Sequence, residues 1–350
     1  MQQVAGYTPL LLRRKAPVST GRVTQRGVTM RQRRTLAVTS ITAFAMATML
    51  SACTAGDDDT FRVAAFTAGY GTPVGKYTLD AFVERGEELG WDVTLHTSDF
   101  DYDVINTDVV SSITQGTDAV LAGFPDPRQI APLVNAAEEA DVPIFSIDGG
   151  VEPNDDFVVD VTTSQQQIAE LTVGALEEAM GGLEGKEVMI IGHDPHVGIM
   201  TRSGIAYDLL TEAGATVTPD EVRQVLNPGT SQEEALQFVT DYLQANPAGL
   251  DGIWNGWDHA AVGAAQAATE AGREDVVVTG VDAVGIALNE IEKDGPFHAT
   301  VVQDWPGILD IVIGQLEHYA DTSELPEENF IESDVTLVTI DNVADIEPTG

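Results

Sequence analysis

Polar and aromatic side chains recur at one kind of position in this 350-residue chain, where a β-branched run gives way to a loop. In order, these junctions are Thr67-Ala68-Gly69-Tyr70-Gly71, Gly123-Phe124-Pro125-Asp126, Ile147-Asp148-Gly149-Gly150 and Thr162-Thr163-Ser164, then Gly192-His193-Asp194-Pro195-His196, Asn255-Gly256-Trp257-Asp258, Gly280-Val281-Asp282 and Val302-Gln303-Asp304-Trp305. Carboxylates, amides and a guanidinium exchange hydrogen bonds with hydroxyls, whereas indole and phenol faces cover C–H surface. Tyr70, Asp148, Arg202, Trp257, Asp282, Gln303 and Trp305 are therefore candidates for a site that holds a neutral, hydroxyl-rich molecule. Each has a plainer role open to it. Asp148 and Asp282 could cap helices, Arg202 could balance local acid, and Gln303 could bond backbone at a crossover. Trp257 and Trp305 could be core, as Trp254 is expected to be on its apolar run.

No candidate catalytic residue, metal ligand or cofactor emerges. His193 and His196 stand three apart, but Pro195 between them breaks helical pairing, and neither a cysteine nor a third histidine follows nearby. Asp99, Asp101 and Asp103 alternate as in a calcium loop without its sixth-position glycine or twelfth-position glutamate, which predicts a solvated acidic loop. A nucleophile elbow and a Walker phosphate loop are both missing, and Gly69-Tyr70-Gly71 lacks the third glycine of a dinucleotide fingerprint.

The elements that must position these residues begin after a leader. Eight of the 17 Lys and Arg precede residue 53, where no acid occurs, so the remainder carries nine basic against 56 acidic residues, a net of −47. A surface this acidic repels phosphate backbones and excludes nucleic-acid binding. Arg31, Arg33 and Arg34, the weakly apolar run Leu36–Leu50 and then Leu50-Ser51-Ala52-Cys53 read as a signal peptide over residues 1–52. Residues 1–29 are an overlong start if Met30 initiates; Arg33-Arg34 leaves twin-arginine and general export both open. Leu-Ser-Ala-Cys resembles the bacterial lipobox, which makes Cys53 a lipidation site, residues 53–60 a polar tether and the mature protein a membrane-anchored, extracytoplasmic one. With a single cysteine, no intrachain disulfide forms.

From Phe61, short β-branched runs alternate with amphipathic stretches. Strands are expected at 61–67, 92–97, 119–124, 143–148, 157–161, 187–192, 216–226, 252–255, 276–281 and 298–303. Helices are expected at 79–89, 127–140, 165–180, 199–213, 231–245, 259–271 and 305–319. Gly90, Gly214 and Gly272 stop helices. The alternation predicts α/β architecture, two doubly wound parallel-sheet (Rossmann-like) lobes, with a (β/α)8 barrel as the other reading. In doubly wound sheets ligands sit beyond the carboxyl ends of strands, where the junction residues gather.

With those residues in place, the stretch from Phe61 to about Ile340 resembles the type I periplasmic solute-binding proteins of the ribose/galactose kind. Asp148 ending the fourth strand, Arg202 in Thr201-Arg202-Ser203-Gly204, Asp282 ending its strand and Gln303 ending the next match the family's landmarks. The resemblance implies that these four hydrogen-bond sugar hydroxyls in a cleft. It further implies an N-terminal lobe of residues 61–161 plus 304–333 and a C-terminal lobe of 162–303 plus 334–346, joined by a three-crossing hinge. The partners it implies are a small neutral sugar or polyol and an ABC permease, and it implies a monomer that is not an enzyme. The sequence departs from the family at Trp257-Asp258, often Asn-Asp, at Gly149, often Arg, and at Val74-Gly75, usually an aromatic pair. A membrane-anchored receptor for a sensor partner would share these residues, and an extracellular carbohydrate-active enzyme would need a carboxylate pair.

Overall fold

The computed structural model describes residues 60–349; the leader, Cys53 and the tether up to residue 59 lie outside them. The first half of the described chain runs β1 (Arg62–Thr67), α1 (Pro73–Glu88), β2 (Asp92–Thr97), α2 (Tyr102–Thr114), β3 (Ala119–Gly123), α3 (Ala131–Ala140), β4 (Ile144–Ile147) and β5 (Val159–Thr163). It continues with α4 (Gln165–Met180), β6 (Glu187–Gly192), α5 (Val197–Glu212), β7 (Thr216–Val217), β8 (Arg223–Gln224), α6 (Ser231–Ala245), β9 (Gly252–Asn255) and α7 (Asp258–Glu270). The last elements are β10 (Val277–Thr279), α8 (Gly285–Ile291), β11 (Phe297–Gln303), α9 (Trp305–Thr322), β12 (Phe330–Ser333) and β13 (Val335–Val338).

Two sheets result, in the orders β12-β5-β4-β3-β1-β2 and β13-β11-β10-β9-β6-β7, with β8 also on β6. Every pairing is parallel except that of β11 with β13. Parallel strands need crossover helices, and helices on both faces bury them completely. Val63, Ala64, Ala65 and Phe66 of β1 are accordingly all buried, two on each face. The strand order reverses between β1 and β3 in one sheet and between β6 and β9 in the other. Such switch points open a crevice at the carboxyl ends.

The chain passes between the sheets three times, at Ser164 after β5, at Asp304 after β11 and at Asp334 between β12 and β13. The first passage falls after Thr163 rather than after Val161, because β5 starts later than expected and stays paired with β12 through Thr163. Two other local expectations change. The run 216–226 is broken into β7 and β8, since Pro219 has no N–H to offer a ladder. Asp99–Asp103 is not wholly loop: the Asp101 carboxylate accepts the amides of Asp103 and Val104 and starts α2, whose Ile105, Val109 and Ile113 face the core.

Helices α6 and α7 approach at backbone distance. A Cβ added at Gly263 would lie 2.0 Å from the Gln232 carbonyl oxygen, whereas one at Gly174, in the exposed middle of α4, would meet nothing within 4 Å. Helix propensity favours alanine over glycine by about 1 kcal/mol, and overpacking costs about 1–3 kcal/mol. Urea denaturation should therefore find Gly174→Ala more stable than the parent and Gly263→Ala less stable.

Candidate functional site

The carboxyl ends of both sheets face one cavity of about 950 Å³. The first sheet lines it with Thr72–Gly75 after β1, Phe124–Asp126 after β3 and Asp148 after β4. The second contributes His193, Pro195 and His196 after β6, Ile199 and Arg202 of α5, Asn227 after β8, Trp257 after β9 and Asp282 after β10. Gln303 and Trp305 close its base from either side of the second passage. Six of the seven residues singled out in the sequence thus share one crevice. Tyr70 does not line it: its hydroxyl donates to Asp80 at 2.6 Å and accepts from Lys76 Nζ at 3.0 Å, partners one and two turns into α1 that hold the ring at the surface.

Arg202 is the charge at the centre. It is 3% exposed, and its Nε and Nη1 are buried without a hydrogen-bond partner. Burial pushes the guanidinium pKa down, and the negative charges of Asp148 and Asp282 oppose that push. Asp148 comes from the first sheet and is held by the Thr162 hydroxyl, which donates to Oδ1 at 2.6 Å. Asp282 comes from the second; Gln303 Nε2 donates to its Oδ1 at 2.7 Å, and the Thr163 hydroxyl donates to Gln303 Oε1 at 2.7 Å. Gln303 therefore ties the Asp282 carboxylate to the first passage. Burial raises the Asp282 pKa to about 7, with Arg202 and the Gln303 hydrogen bond pulling it back and Asp148 adding to the rise.

Neither aspartate caps a helix; both sit in left-handed backbone, at φ 53° and 115°. Phe100 and Phe124, also lining the cavity, do the same at 55° and 54°. Such conformations cost about 1–3 kcal/mol each and turn a side chain out of the strand direction. The backbone that follows Asp282 is fixed by Asp258, which is fully buried. The Asp258 carboxylate accepts the Thr300 hydroxyl at 2.6 Å and the Val284 amide at 2.9 Å, and burial, followed by the charge of Asp282, raises its pKa well above the usual range. Gly280 leaves the room, since a Cβ there would lie 2.3 Å from Asp258 Oδ1. The departure at Gly149 has a similar cause: its amide donates to Asp160 Oδ1 at 3.0 Å, and a Cβ would lie 2.3 Å from Ser146 Oγ.

Aromatic rings form the remaining wall. Trp305 and Phe124 meet edge to face at 5.2 Å, and Trp305 Nε1 is buried without a partner. Trp257 donates from Nε1 to Ser231 Oγ at 3.2 Å and abuts the His193 ring, while Trp254 lies in the core, bonded to Thr172. The two loop histidines have structural partners. His193 Nδ1 donates to the Val225 carbonyl at 2.9 Å, and His196 Nδ1 accepts the Ile199 amide to cap α5, with Nε2 3.5 Å from Asp148 Oδ2. Phe100 was not foreseen, because only its backbone conformation brings it to the cavity. Val74, in place of an aromatic pair, packs against the hydrophobic clusters of both sheets.

This architecture and site define a bilobal binding protein, and the chain belongs to the periplasmic binding protein family, whose domain matches residues 63–323. It is a solute-binding protein and not an enzyme. Among curated relatives it is similar to the D-apiose import binding protein of Actinobacillus succinogenes, 25% identical over 300 residues that cover 85% of this chain and 94% of the relative. It is also similar to a xylitol-binding protein of Mycolicibacterium smegmatis, 26% identical over 267 residues covering 73% and 72% of the two chains. Its fold is that of an ABC transporter solute-binding protein from Agrobacterium vitis solved with bound allitol, with a TM-score of 0.74 at 21% identity, covering 82% of this chain and 98% of that one.

The buried carboxyls make a pH prediction. The folded-state pKa values of Asp282 and Asp160, each raised to about 7 chiefly by burial, exceed the usual 3.8, so the folded state binds more protons than the unfolded state between about pH 4 and 7. Each group therefore costs stability that grows as pH rises through that window and is constant above it. In urea titrations, Asp282→Asn and Asp160→Asn should gain on the parent by a few kcal/mol from pH 4.5 to pH 8. A difference that does not change with pH would refute the assignment.

Proposed function

We propose that this protein is an extracytoplasmic lipoprotein that captures a neutral sugar or polyol by hinge closure and delivers it, as a monomer, to an ABC importer. The observation that carries this reading is the buried guanidinium of Arg202, lacking hydrogen-bond partners for two nitrogens and set between carboxylates from opposite sheets. A ligand hydroxyl is both donor and acceptor. One such group satisfies an Arg202 N–H while donating to Asp148 or Asp282, which a guest that lacks a group able both to donate and to accept cannot do. Trp305 Nε1 offers a further donor, and the faces of Trp257, Trp305 and Phe124 suit the C–H side of a polyol. The names of the curated relatives, which specify D-apiose and xylitol, and the bound allitol of the solved structure support the same ligand class.

The topology supports closure. Three short passages join the lobes, so a few backbone torsions at Ser164, Asp304 and Asp334 can change their relative angle without disturbing either core. A guest that bonds Asp148 on one lobe and Arg202 and Asp282 on the other favours the closed arrangement by its differential affinity for it. Lipidation of Cys53 would tether the protein beside its permease on the outer face of the cell membrane. The acidic surface keeps it off nucleic acids.

A thermal-shift screen with D-apiose, xylitol, allitol, pentoses and hexoses tests the reading. A guest at a hundred times its Kd adds about 2.7 kcal/mol to stability, which moves Tm by roughly 4 °C for a chain this size. At least one neutral member should give that shift, and Asp282→Ala or Arg202→Ala should abolish it while the unliganded variants still melt cooperatively. Shifts from amino acids or metal ions alone would overturn the proposal.

A further inference from the structure

We propose that Arg128 is the clasp that holds the lobes shut, gripping the backbone of the loop His193–His196 without lining the solute cavity. The inference rests on the hinge-closure reading and adds to it a residue that sets the closed population. Arg128 follows β3 in the first lobe, and the loop follows β6 in the second. Its Nη2 donates to the Pro195 carbonyl at 2.8 Å and to the Asp194 carbonyl at 3.3 Å.

Both halves of this contact are prepared within their own lobes. Asp126, 4% exposed, accepts Arg128 Nε at 2.8 Å on Oδ1 and Nη2 at 3.2 Å on Oδ2. The same carboxylate also takes the Arg128 amide at 3.0 Å and Gln129 Nε2 at 2.7 Å. That fork pairing lies inside one lobe and survives opening. Across the cleft, the Asp194 amide donates to Gln224 Oε1 at 2.8 Å, and Gln224 Nε2 donates back to Asp194 Oδ1 at 2.9 Å. Pre-ordering both sides removes much of the entropy cost that makes exposed ion pairs weak. Opening then breaks the bonds from a charged donor to carbonyls while leaving the pairing inside each lobe intact. The clasped loop ends at His196, whose Nε2 lies 3.5 Å from Asp148, so the first lobe holds one short loop of the second at two points.

Paired spin labels read the lobe separation directly. In a Cys53→Ser background, labels at Glu139→Cys on α3 and Glu212→Cys on α5, both exposed, report the interlobe distance of the unliganded protein. The parent should populate the separation of the clasped structure. Arg128→Ala should raise the ratio of open to closed about tenfold, the effect of one charged hydrogen bond. Its Tm should fall, because the buried Asp126 carboxylate loses its charge partner and keeps only Gln129 and its own turn, so the test is read from the distance distribution of the folded variant. Arg128→Lys, which keeps the charge but loses the planar fork, should fall between the two. If Arg128→Ala fails to fold, Arg128→Gln supplies the same comparison. Equal distance distributions in parent and variant, absence of the clasped separation in the parent, or full rescue by lysine would each overturn the proposal. No solute enters the measurement, so its outcome is separate from that of the ligand screen.

Discussion

A guanidinium buried at 3% exposure with two unbonded nitrogens is the constraint around which the rest of the structure is arranged. Removing an ion from water costs several kcal/mol, which nearby opposite charge offsets only partly unless hydrogen bonds complete the shell. Asp148 and Asp282 supply opposite charge from opposite lobes, and the pull of Arg202 on the Asp282 pKa is weaker than the push of burial. The cluster is thus left incomplete in the protein itself. An incomplete cluster of donors and acceptors is a poor way to stabilise a fold and a good way to select a guest that completes it.

Holding such a cluster in place requires a supporting layer. Asp258 has no solvent contact and does not line the cavity, yet its carboxylate fixes the Val284 amide and the Thr300 hydroxyl on either side of the left-handed pair Asp282–Ala283. On the other lobe, Thr162 holds Asp148, and the Gly149 amide is committed to Asp160. Gln303 joins the layers, bonded to Thr163 at one end and Asp282 at the other. In the proposed closure, rotation of the lobes would bring together two prepared half-sites, neither of which must be built at the moment of capture.

Much of this was legible in the sequence because the signals were local. Alternating β-branched runs and amphipathic stretches specify parallel sheets, and a residue at the end of a buried strand or in the first few positions after it has to emerge at the carboxyl edge, as Asp148, Trp257, Asp282 and Gln303 do. What escaped was nonlocal or conformational. Tyr70 has the right place after β1, but Lys76 and Asp80 on the following helix hold its hydroxyl. Helix α2 was obscured by the acidic alternation at its start, although Ile105, Val109 and Ile113 keep the four-residue spacing of a buried face. The left-handed turn at Phe100 carries no residue-type signature, since glycine or asparagine would be the usual occupant.

The most direct test of the central claim is a crystal structure of the protein with the neutral sugar or polyol that it binds. The account predicts ligand hydroxyl oxygens within hydrogen-bond distance of Arg202 Nε or Nη1 and of a carboxylate oxygen of Asp148 or Asp282, with atoms of both lobes on the same guest. A bound solute that leaves the Arg202 nitrogens unbonded, or that sits on one lobe alone, would contradict it.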